Sequence, residues 1–222
     1  MKVRHIGVEE GYDYWSDTYD ETPNPVVAMD ARHTVDILLP KSDEQILDAG
    51  CGTGRNLKKM VAAGSKPIGI DFSSGMLNIA HHNLPDIPLA RADLQQPLPL
   101  KAGRFDAVLC ALVGEHLDNL PLVFREAYSV LKSGGRMVFS VYHPEMAAAG
   151  IEANFKRSGT EFRLGAVRHT VDDYLNTIEG AGFSGLAHQE FFGDEALVKT
   201  IPAASKYLGF PILLVIEAKK GN

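Results

Sequence analysis

The chain of 222 residues is 45% apolar and 23% charged, which excludes disordered and fibrous classes and fits one domain with a sizeable core. Its net charge is −6 and its 22 lysines and arginines are scattered, so it lacks the basic face of a nucleic-acid binder and favours small-molecule partners. Its two cysteines, Cys51 and Cys110, show no CxxC or Cys/His spacing, which argues against a disulfide framework and a metal site and suits a reducing compartment.

No apolar stretch follows Met1 to His5, and the longest purely apolar run, Ile212 to Ile216, is too short to cross a bilayer. Neither a signal peptide nor a membrane span is expected, and a cytoplasmic location is the default. Residues 1–40 precede the first strand and read as an N-terminal helical cap. Ile46-Leu47 before Asp48 reads as that first strand. It runs into Asp48-Ala-Gly-Cys-Gly-Thr-Gly54, and a helix opens near Gly54. Glycines at alternate positions let the backbone turn tightly, and amides at a helix start point into the space they leave. The dinucleotide pattern GxGxxG needs a third glycine at position 55, where Arg55 stands. Asp48 beside the loop would repel a pyrophosphate and suits a ligand that is cationic at that end.

Pro67 to Ile70 reads as a second strand ending in Asp71, with Ser73 or Ser74 capping the next helix. A carboxylate there can accept two ribose hydroxyls or cap the helix, and both roles are compatible. Ile87 to Ala90 is a weak third strand, followed by Asp93, whose side chain can accept an adenine amino group. Phe72, Met76 and Leu94 can sandwich the ring, or pack in the core. Phe105 to Cys110 is a strong fourth strand. Leu120, Val123, Phe124, Ala127, Tyr128 and Leu131 make one helical stripe, which Gly134-Gly135 ends. Met137 to Val141 is a fifth strand. Residues 144–169 are polar and glycine-bearing, either a substrate lid or a surface elaboration. Thr170 caps a helix with Asp173 three residues on, and Phe183 onward and Pro211 to Ala218 complete the strands. Strands alternating with helices imply a mostly parallel sheet covered on both faces, with ligands at the carboxyl ends.

The ordered motifs Asp48 to Gly54, Gly69-Ile-Asp71-Phe-Ser-Ser-Gly-Met76, Ala92-Asp-Leu94, Phe105-Asp106 with Leu109 to Leu112, and Leu131-Lys-Ser-Gly-Gly135 resemble class I S-adenosylmethionine-dependent methyltransferases. The likeness, over about residues 44–142, is to the ubiquinone/menaquinone-biosynthesis-like group called type 11. It implies an α/β Rossmann-like sheet of order 3-2-1-4-5-7-6 with strand 7 antiparallel. It implies methyl transfer from S-adenosylmethionine to a small-molecule acceptor, releasing S-adenosylhomocysteine. By that likeness Asp48, Gly50 and Gly52 border the methionine end, Asp71 the ribose, and Asp93 and Leu94 the adenine. Ala111 or Leu112 lies along the methionine moiety, and Tyr19-Asp20, with Tyr14 and Trp15 one turn earlier, lies near the cofactor carboxylate.

His116 and His143 follow the fourth and fifth strands at the carboxyl edge and are the candidate catalytic bases. Glu115 is an alternative proton acceptor, or a partner for the cofactor ammonium. A non-catalytic domain that binds S-adenosylmethionine and a nicotinamide oxidoreductase are the rival readings. The acceptor and the choice between monomer and homodimer are open.

Overall fold

The computed structural model describes residues 2–222. Met1, the start of the stretch read above for a signal peptide, lies outside them. Strand β1 (Lys2–His5), helix α1 (Val8–Trp15) and helix α2 (Pro25–Leu38) precede strand β2 (Gln45–Ala49). Then come α3 (Arg55–Ala62), β3 (Lys66–Asp71), α4 (Ser74–Asn83), β4 (Leu89–Arg91), β5 (Phe105–Ala111), α5 (Leu120–Val130) and β6 (Leu131–Tyr142). The chain continues through α6 (Pro144–Ala148), β7 (Asn154–Arg157), β8 (Thr160–Arg163), α7 (Val171–Gly180), β9 (Phe183–Phe192), α8 (Glu195–Thr200) and β10 (Pro211–Lys220).

The main sheet has the order β4-β3-β2-β5-β6-β10-β9. Numbered within the sheet this is 3-2-1-4-5-7-6, and its seventh strand, β10, runs antiparallel to both neighbours. The central strands are apolar runs because helices cover both faces: Ile46, Leu47, Ala107 to Leu109, Met137 to Phe139 and Ile212 to Ile216 are all buried. Each large side chain so buried contributes about 1.5–3 kcal/mol. Helix α5 buries Leu120, Val123, Phe124 and Ala127 as its periodicity demands. Thr170 and Asp173 form the reciprocal cap of α7.

Three expectations need correction. Leu131 belongs to β6, not to the helical stripe, because α5 ends at Val130 and Leu131 enters extended backbone. The third strand lies slightly later than Ile87 to Ala90, at Leu89–Arg91. The N-terminal cap is not purely helical. Its Lys2–His5 strand pairs with β8, and β8 pairs with β7, making a second three-stranded sheet. All four side chains of β1 are exposed, so no alternation of burial marks it.

That second sheet carries its own apolar cluster of Trp15, Phe155, Phe162 and Leu164. It joins residues 2–19 to residues 153–164, while Met146, Ala147, Ile151 and Ala166 of the stretch 144–169 pack on the main core. Two side chains anchor it below. Asp13 Oδ1 accepts hydrogen bonds from Ser73 Oγ (2.7 Å) and the Gly75 amide (2.8 Å). Asp20 Oδ1 accepts one from Thr53 Oγ1 (2.9 Å). Asp13→Ala removes two bonds that involve a charged partner, so we expect chymotrypsin cleavage at Tyr12 to Tyr19 to rise about tenfold. Cleavage at the wild-type rate would show that the segment is held without Asp13.

Candidate active site

The glycine turn leaves β2 and opens α3 at the carboxyl edge. Gly50 has φ 85°, and a Cβ there would meet Val113 Cγ1 at 2.4 Å, so both conformation and space require glycine. The Gly50 and Cys51 amides donate to Ile70 O (2.8 and 2.9 Å), and the Gly52 amide donates to Asp71 Oδ2 (2.9 Å). Asp71 Oδ1 accepts from the Ser73 amide (2.9 Å), and it is Ser73 Oγ that caps α4, by accepting from the Met76 amide. Asp71 therefore clamps the loop to the helix start and is not itself the cap. Burial raises its carboxyl above the ordinary carboxylate range, while its amide partners pull it back.

Around this turn is a first cavity. Of the residues singled out in the sequence, Tyr19, Gly50, Gly52, Asp71, Phe72, Met76, Asp93, Leu94, Ala111 and His116 line it. Tyr14 and Asp48 do not. Tyr14 lies edge-on to Phe155 and Phe162, with the Arg157 guanidinium over its ring. Tyr12 takes the expected place, since residues two apart on a helix point about 200° apart and only one can face the cavity. Asp48 sits within the central strand, paired to Gly69 on one side and Leu109 on the other, and is wholly buried behind the turn. Neither of its oxygens has a hydrogen-bond partner. Burial pushes its carboxyl up to about 7, against the pull of Arg55.

Arg55 is the residue that the sequence reading used only to exclude a dinucleotide. Its Nη2 pairs with Asp30 Oδ2 at 2.7 Å, and Asp30 Oδ1 in turn accepts from Thr34 Oγ1 and Ser140 Oγ, both at 2.6 Å. Arg55 Nη1 is buried with no acceptor, beside the equally unpartnered Asn56 Oδ1. Both residues line the first cavity. The signal available in sequence was a cation at the start of α3, next to a loop already read as ligand-binding.

His116 Nε2 and the Tyr12 hydroxyl are hydrogen-bonded at 3.0 Å, and His116 Nδ1 is buried without a partner. Burial lowers the imidazole pKa to about 4, so it is neutral at pH 7. His143 lines neither cavity. Pro144 begins α6, and His143 caps that helix: its Nδ1 accepts from the Glu145 amide at 3.2 Å, while Nε2 lies 3.5 Å from Glu190 Oε2. Its expected place at the edge is correct, but the imidazole is engaged by the helix start.

A second cavity, of about 600 Å³, adjoins the first through Tyr12, Tyr19 and Leu112. Leu112 holds a left-handed backbone (φ 55°), uncommon outside glycine and found where a site constrains the chain. Trp15, Glu115, Tyr142 and Phe155 also line this chamber. Among the described residues no cluster of His, Cys, Asp or Glu is arranged to hold a metal, and no helix is long and apolar enough to cross a membrane.

The comparisons agree with this geometry. Residues 47–139 match the family model described as a methyltransferase domain. An uncharacterized methyltransferase of Emericella nidulans is 29% identical over 82% of this chain and 77% of its own length. A demethylmenaquinone methyltransferase of Streptomyces avermitilis is 31% identical over 63% of this chain and 59% of its own. The crystal structure of an S-adenosylmethionine-dependent methyltransferase from Mesorhizobium loti superposes with a TM-score of 0.70 at 25% identity, over 84% of this chain and 95% of that one. By motif order, fold and these relatives, the chain carries a methyltransferase domain over residues 47–139 and is similar to the S-adenosylmethionine-dependent methyltransferases.

Proposed function

We propose that the first cavity holds S-adenosylmethionine and the second a small-molecule acceptor, with methyl transfer across the divide formed by Tyr12, Tyr19 and Leu112. The observation that carries this reading is the meeting of the two cavities at those shared side chains. S-adenosylmethionine supplies a methyl carbon bonded to a cationic sulfur. The protein then has to align the acceptor with that carbon and exclude water.

The unpartnered groups support an orientation for the cofactor. Arg55 Nη1 donates to its carboxylate, and Arg55 is held in place for this by Asp30. The uncompensated Asp48 behind Gly50 favours the ammonium and the sulfonium at the same end. Each Asp71 oxygen already accepts one amide and keeps a lone pair for a ribose hydroxyl. Phe72, Met76 and Leu94 enclose the adenine, with Asp93 at the rim; Gly50, Gly52 and Ala111 leave room for the chain of atoms between. Tyr19 borders the methyl group. His116, neutral and bonded to Tyr12, orients that ring and can accept a proton only weakly. Residues 2–24 and 144–169 act together as the lid of a single-domain enzyme working in the cytoplasm on a small acceptor.

Trp15 is the only tryptophan and lines the second cavity, so its emission reports on the site. S-adenosylmethionine should change that emission with a Kd well below about 1 mM, and NAD should not. Arg55→Met should weaken the cofactor by roughly tenfold to a hundredfold, the worth of one or two bonds to a charged group. Equal affinity in wild type and variant would remove Arg55 from the carboxylate. For His116→Ala we expect turnover to fall about tenfold at nearly unchanged cofactor affinity, since a base with so low a pKa contributes less than a matched one. Undiminished turnover would leave His116 no part in the reaction.

A further inference from the structure

Glu115 stands out once the first cavity is assigned. It lies on the short turn after β5, is 8% exposed, and faces the second cavity rather than the first. Its Oε2 is buried with no hydrogen-bond partner, and no lysine or arginine forms an ion pair with it among the described residues. The other acid of that chamber, Glu152, is paired with Arg163 at 3.4 Å. The chamber's two lysines, Lys156 and Lys206, are both exposed. A second buried polar atom, the Tyr142 hydroxyl oxygen, is also unpartnered there.

We propose that the second cavity takes an amine, held as its ammonium by Glu115 amid the rings of Tyr12, Trp15, Tyr19 and Tyr142. The proposal rests on the assignment of the first cavity to the methyl donor. A buried carboxylate without a partner is stabilised most by an opposite charge brought in with its own hydrogen-bond donors. Electron-rich aromatic rings attract the same cation. A neutral hydroxyl acceptor would leave the charge uncompensated. The Tyr142 oxygen accepts a second N–H of the ammonium.

Glu115 then has a chemical task. The ammonium gives one proton to the carboxylate, and the nitrogen lone pair is freed. That pair forms the bond to the methyl carbon as the carbon–sulfur bond breaks, its electrons staying on sulfur in S-adenosylhomocysteine. The product nitrogen carries the positive charge the sulfur has lost. Glu115 passes its proton to solvent and faces the methylated ammonium as a carboxylate. Burial, with Asp30 adding to it, holds the Glu115 carboxyl at about 7, where it can take up and release a proton near neutral pH.

The test uses matched probes on the full chain loaded with S-adenosylhomocysteine, read by Trp15 emission at pH 7.5. Benzylamine is compared with benzyl alcohol, and 2-phenylethylamine with 2-phenylethanol. We expect each amine to bind at least about tenfold more tightly than its alcohol. Glu115→Gln, which keeps shape and removes charge, should abolish that preference and leave S-adenosylhomocysteine affinity unchanged. The proposal is overturned if amine and alcohol bind alike, if neither amine binds, or if the preference survives Glu115→Gln. It is also overturned if the variant loses S-adenosylhomocysteine, since Glu115 would then serve the cofactor ammonium. Failure of wild type to bind S-adenosylhomocysteine at all sinks the earlier assignment instead, so the two failures are told apart.

Discussion

Both oxygens of Asp71 are bonded to backbone amides, one in the glycine turn and one at the start of α4. That clamp ties the glycine turn to the start of α4 beyond the carboxyl ends of β2 and β3, and the first cavity lies around it. The turn can lie so close to the sheet only because Gly50 has no Cβ to meet Val113. The same clamp positions Ser73, whose hydroxyl caps α4 and also donates to Asp13 of α1. Loop, helix start and α1 therefore share one polar junction. A change there propagates to all three, because the amides it holds have no other partner at hand.

The electrostatics around this junction are one-sided. Asp30, Asp48, Asp71 and Glu115 are all buried, and Arg55 is the cation that pairs with one of them. An interior so arranged costs stability in the empty protein, and burial accordingly pushes Asp48, Asp71 and Glu115 toward their neutral forms. A sulfonium with an ammonium beside it offsets part of that cost, and a cationic acceptor offsets more. An apolar residue of similar size at any of these positions would pack without that penalty.

Much of this was legible in the sequence, and the reasons are physical. The alternation of strands and helices follows from apolar runs and a turn motif, both local signals, whereas the strand order was implied by the family resemblance alone. The line of residues around the first cavity follows largely from their common position after parallel strands. What was not legible depended on rotation about a helix axis or on pairing with distant chain. Tyr12 and Tyr14 are both aromatic residues of one helix, and only the docking of that helix decides between them. His143 has the right strand and the right edge, yet Pro144 starts a helix that claims its ring nitrogen. Lys2–His5 is a strand solely because Thr160–Arg163 lies beside it. Arg55 was visible as an exception to a pattern, but its role needed the sight of Asp30 25 residues away in sequence and in contact in space.

The second sheet bears on both cavities. Its apolar cluster is separate from the main core, and Trp15 and Phe155 belong both to that cluster and to the wall of the second cavity. Tyr12 and Tyr19, on the same segment, wall both cavities. A ligand in either cavity therefore contacts residues whose position the other ligand also needs. Fixing Tyr12 and Tyr19 against the cofactor removes freedom that the acceptor would otherwise have to remove on entry. The anchors at Asp13 and Asp20 reach to α4 and to the glycine turn itself, close to the polar junction at Asp71. The second cavity is accordingly walled by both parts of the molecule, Trp15 and Phe155 from the second sheet and its helix and Glu115 and Tyr142 from the main-sheet edge, with three side chains shared with the first cavity.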